Sequence, residues 1–266
     1  MDQDHECMFF WRRQHLTSNY RRTVKGRRFP AGSIACIERN TSKIQSLKSK
    51  GILILKIDEL TKHQFDLIIL AVKPKDALEA TKQILIHAPN ANIISTVAGI
   101  TANKYPNTAT IIRSMPNTAS EFKKGITALY TKDINNSSFK KAIKFFEHIG
   151  HVLVMKDEAE MHSFTSVIGS GQGFLFKILE VYLTEFKKLS KGVDVSATEI
   201  FKNFVYSLGD QFNQDPDFDS LINKIKSPNG TTQAGIESLE NNNVEMIIKE
   251  AFKAATNRSA EISNEN

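Results

Sequence analysis

Ser227-Pro228-Asn229-Gly230-Thr231-Thr232 sets a tight turn and two hydroxyls directly before an apolar segment, Gln233 to Leu239, that has helical spacing. Proline and glycine bend the chain. The helix that follows presents unpaired backbone N–H groups and a positive dipole end, which favour an anion such as a carboxylate. A threonine hydroxyl can donate to, or accept from, a substrate nitrogen. Thr231 or Thr232 serves equally well as a plain helix cap, and the turn alone leaves both readings open. Three further clusters pair polar groups with backbone turns. Ala71-Val72-Lys73-Pro74 is a buried strand emerging into lysine and proline: a backbone shelf for a ligand, or a strand that ends at a proline. Arg113-Ser114-Met115-Pro116-Asn117-Thr118 puts a rigid turn after a strand. It exposes polar groups such as Asn117 at a sheet edge, or it is an ordinary turn. Gly169-Ser170-Gly171-Gln172-Gly173 gathers glycines in a helical region, for close helix crossing or for a helix start that faces a ligand.

The elements that must position these clusters follow from periodicity. Strands are expected at Ser33–Ile37, Ile52–Ile57, Phe65–Val72, Asn92–Val97, Thr110–Met115, Gly125–Tyr130 and Gly150–Val154. Helical segments intervene at Thr41–Lys50, Asp76–His87 and Ser138–His148. Strands alternating with helices imply an α/β fold with a mostly parallel sheet covered on both faces. Ligands of such sheets bind at the C-terminal strand ends. Topology alone therefore nominates Glu38-Arg39-Asn40, Ala71–Pro74 and Ala98-Gly99 as cofactor contacts. Past residue 156 the pattern is helical throughout, with Gly169-Ser170-Gly171 interrupting the first long stretch. The expected division is an α/β domain over 1–156 and an all-α domain over 157–266.

In order and approximate spacing, the four clusters resemble the motifs of the pyrroline-5-carboxylate reductase family. That family reads Ala-Val-Lys-Pro, Arg-x-Met-Pro-Asn-Thr, Gly-Ser-Gly-Pro-Ala and Ser-Pro-Gly-Gly-Thr-Thr. Glu250–Ser259 also looks like the family's last helix, so the resemblance spans roughly residues 29–262. It implies a Rossmann-like dinucleotide-binding domain, 1–156, and a helical dimerisation and substrate domain, 157–266. The implied reaction is hydride transfer from a nicotinamide cofactor to 1-pyrroline-5-carboxylate, giving L-proline in the last step of proline synthesis. By resemblance, Thr232 would bond the ring nitrogen, and Thr231, Gly230 and Asn229 would hold the carboxylate. Ala71, Val72, Lys73, Pro74, Ala98 and Asn117 would line the cofactor. Asn40 and Arg39 would reach its ribose or 2′-phosphate, and cationic Arg39 favours NADP over NAD. Gln172-Gly173 replaces the family's Pro-Ala, and Asn229 replaces a glycine; asparagine tolerates positive φ better than most residues. A related imine or 3-hydroxyacid dehydrogenase shares this two-domain plan. The Thr-Thr turn, and no evident catalytic lysine motif in the helical part, argue against the hydroxyacid branch. A catalytically impaired or non-catalytic paralogue that kept the helical oligomerisation domain is the alternative of a different class.

The family opens with a strand and a glycine loop whose amides meet a pyrophosphate. Residues 1–28 hold a single glycine, Gly26, and no apolar strand with a glycine turn. The first strand and phosphate loop are therefore expected to be lost from the chain as written. A one-base change of reading frame accounts for this. Trp11 has one codon, and its shifted codon must encode glycine. With permitted codons, His5 to His15 become Met-Asn-Val-Cys-Phe-Phe-Gly-Gly-Gly-Asn-Ile, a short strand and a glycine loop. Frame would be regained near Arg27-Arg28-Phe29. On this reading the cluster of Arg12, Arg13, Arg21, Arg22, Lys25, Arg27 and Arg28 reflects glycine codons and no nucleic-acid site.

The bulk properties fit. The chain has 266 residues, 41% of them apolar, enough for one large core or two moderate ones. Its net charge of +6 comes from 35 basic residues interspersed with 29 acidic ones, the pattern of a solvated surface. Two cysteines, Cys7 and Cys36, make neither a disulfide framework nor a metal-ligand spacing, so no metal is expected. No apolar run approaches the roughly 18 residues of a membrane span, and no signal peptide is recognisable, so a cytoplasmic protein is expected. The long amphipathic helical segments, with the resemblance, imply a homodimer or a ring of dimers.

Overall fold

The apolar alternation of the first half folds into short strands joined by helices, buried at Ala35–Cys36, Ile68–Leu70 and Asn92–Ser95 and more exposed at Leu53–Ile54 and Gly150–Val154. Of the strand expected over Ile52–Ile57 only Leu53–Ile54 forms a ladder. The computed structural model describes residues 34–38, 40–189 and 196–265. The chain forms two compact units, one of residues up to Gly169 together with Ala255 onward, the other Ser170–Ala254.

In the first unit, β1 (Ala35–Cys36) pairs in parallel with β2 (Leu53–Ile54) across helix α1 (Thr41–Lys48). Gly51, at φ 79, takes the left-handed turn that brings the chain into β2. β3 (Ile68–Leu70) leads into α2 (Pro74–His87), whose first residue is the proline that ended the strand pattern. β4 (Asn92–Ser95), β5 (Thr110–Pro116), β6 (Gly125–Tyr130) and β7 (Gly150–Val154) complete a five-stranded sheet ordered β3-β4-β5-β6-β7. All neighbours are parallel except β5 and β6. The link from β5 to β6 spans only residues 117–124, too short for a crossover helix, so the strand returns antiparallel. Helix α3 (Ser137–Glu147) supplies the crossover from β6 to β7.

Strand alternation divides the core into two faces. Ile68, Leu70, Val72 and Ile93 pack with Ala77, Ala80 and Ile84 of α2 on one. Ile69, Ala71, Ile94 and Ile112 pack with Phe139, Ala142 and Phe146 of α3 on the other. β1 obeys the same alternation, with Ala35 and Ile37 on the first face and Ile34 and Cys36 on the second. Both faces thus run from the five-stranded sheet to β1, although no ladder joins β1 to β3 among the described residues. The expected lost strand and phosphate loop, the frame change and the basic cluster all fall before residue 34 and lie outside the described residues.

At the end of the sheet, Gly125 and Gly150 are paired in register. A Cβ on Gly150, which has φ 150, would lie 1.9 Å from the Gly125 carbonyl oxygen. Only glycine admits this backbone approach.

Helix α4 (Glu160–Phe164) continues through a π-helical stretch, Thr165–Ser170, into α5 (Gly171–Leu189). Gly169-Ser170-Gly171 does not end the helix, as expected from its glycines, but sits in and beside a wider turn of it. Four further helices follow: α6 (Ala197–Gln214), α7 (Phe218–Ile225), α8 (Thr231–Asn241) and α9 (Val244–Glu265). The last turns of α9 belong to the first unit. There Lys104 Nζ donates to the Ser263 carbonyl at 2.7 Å, and His162 Nδ1 lies 3.0 Å from Ser259 Oγ. No described helix is long and apolar enough to cross a membrane.

Candidate active site

The loops nominated for the cofactor follow the strands of the first unit. β3 runs out at Ala71 and Val72, both buried, with side chains that serve the two faces of the core. Exposed Lys73 is the N-cap of α2 without using its side chain, and Pro74 begins the helix. A helix N-terminus therefore opens directly at the C-terminal end of a parallel strand, which suits an anionic group. The Thr96 N–H and hydroxyl both reach the Leu70 carbonyl, at 3.0 and 3.2 Å, and so tie the end of β4 to that of β3. Half-buried Ala98 follows on the same edge, with Gly99 at φ 79 making the turn. Asn117 lies just past β5; its Oδ1 accepts the Ile126 N–H at 3.0 Å and fixes the start of β6. Asn40 caps α1: its Oδ1 accepts from the Ser42 and Lys43 amides and the Ser42 hydroxyl. Its side-chain oxygen is thus committed to the helix. Arg39 lies outside the described residues. A helix N-terminus at the end of a parallel strand, with an exposed lysine at its cap position, fits the phosphates of a dinucleotide.

Beneath this edge lies a polar cluster of which the sequence singled out only Arg113, as the head of the Arg113–Thr118 motif. Arg113, 3% exposed, projects from β5 and pairs with Glu158 at 3.0 Å. Its second Nη donates to the Val97 carbonyl at 3.4 Å. Glu158 also accepts the Ala102 N–H at 2.7 Å. The Ser95 hydroxyl accepts the Val97 N–H and lies 2.7 Å from the Tyr105 hydroxyl. Burial pushes the Tyr105 phenol above its ordinary range, against the lowering effect of Ser95 and Arg113. Burial, and then Arg113, push the nearby His162 imidazole down, partly offset by Glu158. The one signal in the sequence was a cation, Arg113, inside an apolar strand.

The Ser227–Thr232 turn lies in the second unit. Asn229 stands at φ 57, the left-handed conformation expected if it takes a glycine's place. Gly230 is the N-cap of α8, and no side chain caps the helix. Thr231 and Thr232 are the first two helical residues, so neither acts as the cap that the sequence left open. Gln233 instead turns back to accept the Asn229 N–H at 3.0 Å. Among the described residues no hydrogen bond engages either threonine hydroxyl, and no acceptor outside the helix meets the N–H groups of Thr231, Thr232 and Gln233. Thr231 is exposed and Thr232 half-buried. A Cβ on Gly230 would lie 2.2 Å from the Ser227 hydroxyl, so a glycine closes the turn.

Gly169 and Gly173 are not crowded, while Gly171 is buried. A Cβ on Gly173 would meet nothing within 4 Å, and one on Gly169 only the Thr165 methyl at 3.8 Å. Among the described residues no neighbour requires a glycine at either position. Among the described residues no group of histidine, cysteine, aspartate and glutamate side chains could hold a metal ion.

Comparison with known proteins decides the family. Pyrroline-5-carboxylate reductase 1 of Bacillus spizizenii is 30% identical over 261 residues, covering 91% of this chain and 84% of its own. The chain belongs to the pyrroline-5-carboxylate reductase family. The pyrroline-5-carboxylate reductase of Pseudomonas aeruginosa is 28% identical over 207 residues, 75% of this chain and 76% of that protein. Residues 158–262 match the family described as pyrroline-5-carboxylate reductase dimerisation. The solved Plasmodium falciparum pyrroline carboxylate reductase with NADP bound shares the fold, with a TM-score of 0.81 at 21% identity, covering 98% of both chains. So does the Coxiella burnetii enzyme, with a TM-score of 0.80 at 22% identity, covering 98% of this chain and 99% of that one. The expected fold class, a Rossmann-like α/β domain followed by helices, is that of the reductase family.

Proposed function

We propose that this family member reduces 1-pyrroline-5-carboxylate to L-proline with NADPH, as the last step of proline synthesis. The observation that carries the substrate half is the start of α8: both threonine hydroxyls and the first amides are left without partners among the described residues, with side-chain-less Gly230 at the N-cap position and Gln233 turned back to the Asn229 N–H. Thr232 donates to or accepts from the ring nitrogen. Thr231, Gly230 and Asn229 frame the carboxylate, where helix dipole and N–H groups favour negative charge. Ala71, Val72, Lys73, Pro74, Ala98 and Asn117 receive the dinucleotide, with Asn40 and Arg39 toward its ribose. When bound, the reduced nicotinamide supplies the hydride. The protein's own part is to hold the imine carbon in reach, to orient the ring through Thr232 and to neutralise the carboxylate.

Residues 1–156 are the cofactor domain and 157–266 the substrate and dimerisation domain on this reading. The match of 158–262 to the dimerisation family supports a homo-oligomer. The structural neighbour with NADP bound supports a nicotinamide cofactor; the cationic Arg39 is what favours NADP in this reading. A cytoplasmic setting accords with a soluble biosynthetic enzyme.

The test is NADPH oxidation with the cyclic imine, on the chain as written and on one with residues 5–28 restored to the shifted frame. The frame-corrected chain is expected to turn over, and the chain as written to bind cofactor weakly. Thr232→Val in the active chain should lower kcat/KM about 100-fold with cofactor affinity unchanged. No imine-dependent oxidation by either chain would remove the reductase reading and leave the non-catalytic paralogue.

A further inference from the structure

We infer that the Arg113–Glu158 ion pair is a positioning clamp for the loop Ala98–Thr101, each partner gripping one end of it. Arg113 holds the carbonyl of Val97, the residue before the loop. Glu158 holds the amide of Ala102, the residue after it. The two partners are joined to each other at 3.0 Å through the same Glu158 oxygen that accepts the amide. The loop ends are therefore fixed to a common point and, through it, to β5 and to the segment that follows β7.

Stability alone is a poor account of this pair. A buried ion pair rarely outperforms apolar side chains of similar size, because both charges must leave water. Here the cost is larger still, since Arg113 Nε is buried with no hydrogen-bond partner among the described residues. What apolar residues could not supply is direction: one donor aimed at a carbonyl and one acceptor aimed at an amide. The loop so held contains Gly99 at φ 79, a residue with wide conformational freedom, beside Ile100, which is buried in the core; the clamp adds fixed ends to that apolar anchor. Ser95 and Tyr105 brace the same end from below, through the Val97 amide.

The functional consequence rests on the proposed reading that Ala98 meets the cofactor. Arg113 and Glu158 touch no substrate; they act through the loop. Amide hydrogen exchange on the full chain tests the clamp without any ligand. Arg113→Lys keeps the charge but not the second prong, and should speed exchange at Ala98 and Gly99 only. Arg113→Met combined with Glu158→Leu removes both grips without stranding a charge. It should speed exchange from Ala98 to Ala102 about tenfold, with the amides of β4 and β5 unchanged. Unaltered loop exchange, or faster exchange throughout the sheet, overturns the clamp. In the active chain the double variant should raise KM for the nicotinamide cofactor about tenfold and leave KM for the imine unchanged. Local loosening with both KM values unmoved upholds the clamp and instead removes Ala98 from the cofactor site.

Discussion

The two units bury their apolar side chains in opposite ways. The first closes a core of its own around the sheet, in which Phe139, Phe146, Ile69, Ile94 and Ile112 are fully covered. In the second, Phe201 is the only large apolar side chain that is buried among the described residues. Leu175, Phe176, Val181, Tyr206, Phe218 and Ile247 are all more than half exposed. Exposed apolar side chains in such number, in a segment that matches the dimerisation family, suit an interaction face. The difference teaches that the α/β unit is specified by its own sequence, whereas the helical unit is specified for company.

That contrast can be broken at either end. Phe146→Ala should destabilise the first unit by about 3–5 kcal/mol, because the side chain is fully buried and leaves a cavity; urea unfolding measures it. Gly150→Ala should cost about 3 kcal/mol, from its left-handed φ and the clash with the Gly125 backbone, in the same measurement. Phe176→Glu should leave the unfolding of the first unit alone and shift the chain toward monomer in sedimentation, a loss of about 2 kcal/mol of association per copy. An unchanged mass would mean that the helical unit does not associate through this face. The smallest effect concerns pH. The His162 imidazole is held below its ordinary value of 6.5, chiefly by burial, so the folded state binds fewer protons than the unfolded one. Its contribution to stability is therefore present above 6.5 and is lost as pH falls through that value toward the folded pKa. Stability should decline from pH 7 to 5, and His162→Gln should flatten that slope.

Much of this fold was legible because its signals are local. Apolar runs rich in β-branched residues, such as Ile68-Ile69-Leu70, announce strands, and Pro74 marks the exit of β3. The Ser227–Thr232 turn declared itself by composition, and Asn229 adopted the conformation that its place in the turn required. What stayed hidden was either cooperative or distant. Arg113 and Glu158 lie 45 residues apart, and nothing near either predicts the other. Gly169 and Gly171 read as a helix break, because low propensity says nothing of a π turn that keeps the chain helical. Asn40 read as a ligand contact, but capping α1 has first claim on its carbonyl. The choice of cap at α8 was also beyond the sequence, since Thr231, Thr232 and Gly230 all suit that position.

The crowding at two glycines has an evolutionary consequence. At Gly150 the obstacles to a side chain are backbone atoms of Gly125, which every residue possesses. No change of a neighbouring side chain can relieve that clash, because the obstacle is backbone; only stability gained elsewhere could offset it. At Gly230 the nearest obstacle is one hydroxyl, that of Ser227, and the next a carbonyl at 3.0 Å. Drift at 227 can therefore open a path to change at 230. The end of the sheet is closed to exploration, while the turn beside Thr231 and Thr232 can be reshaped in two steps.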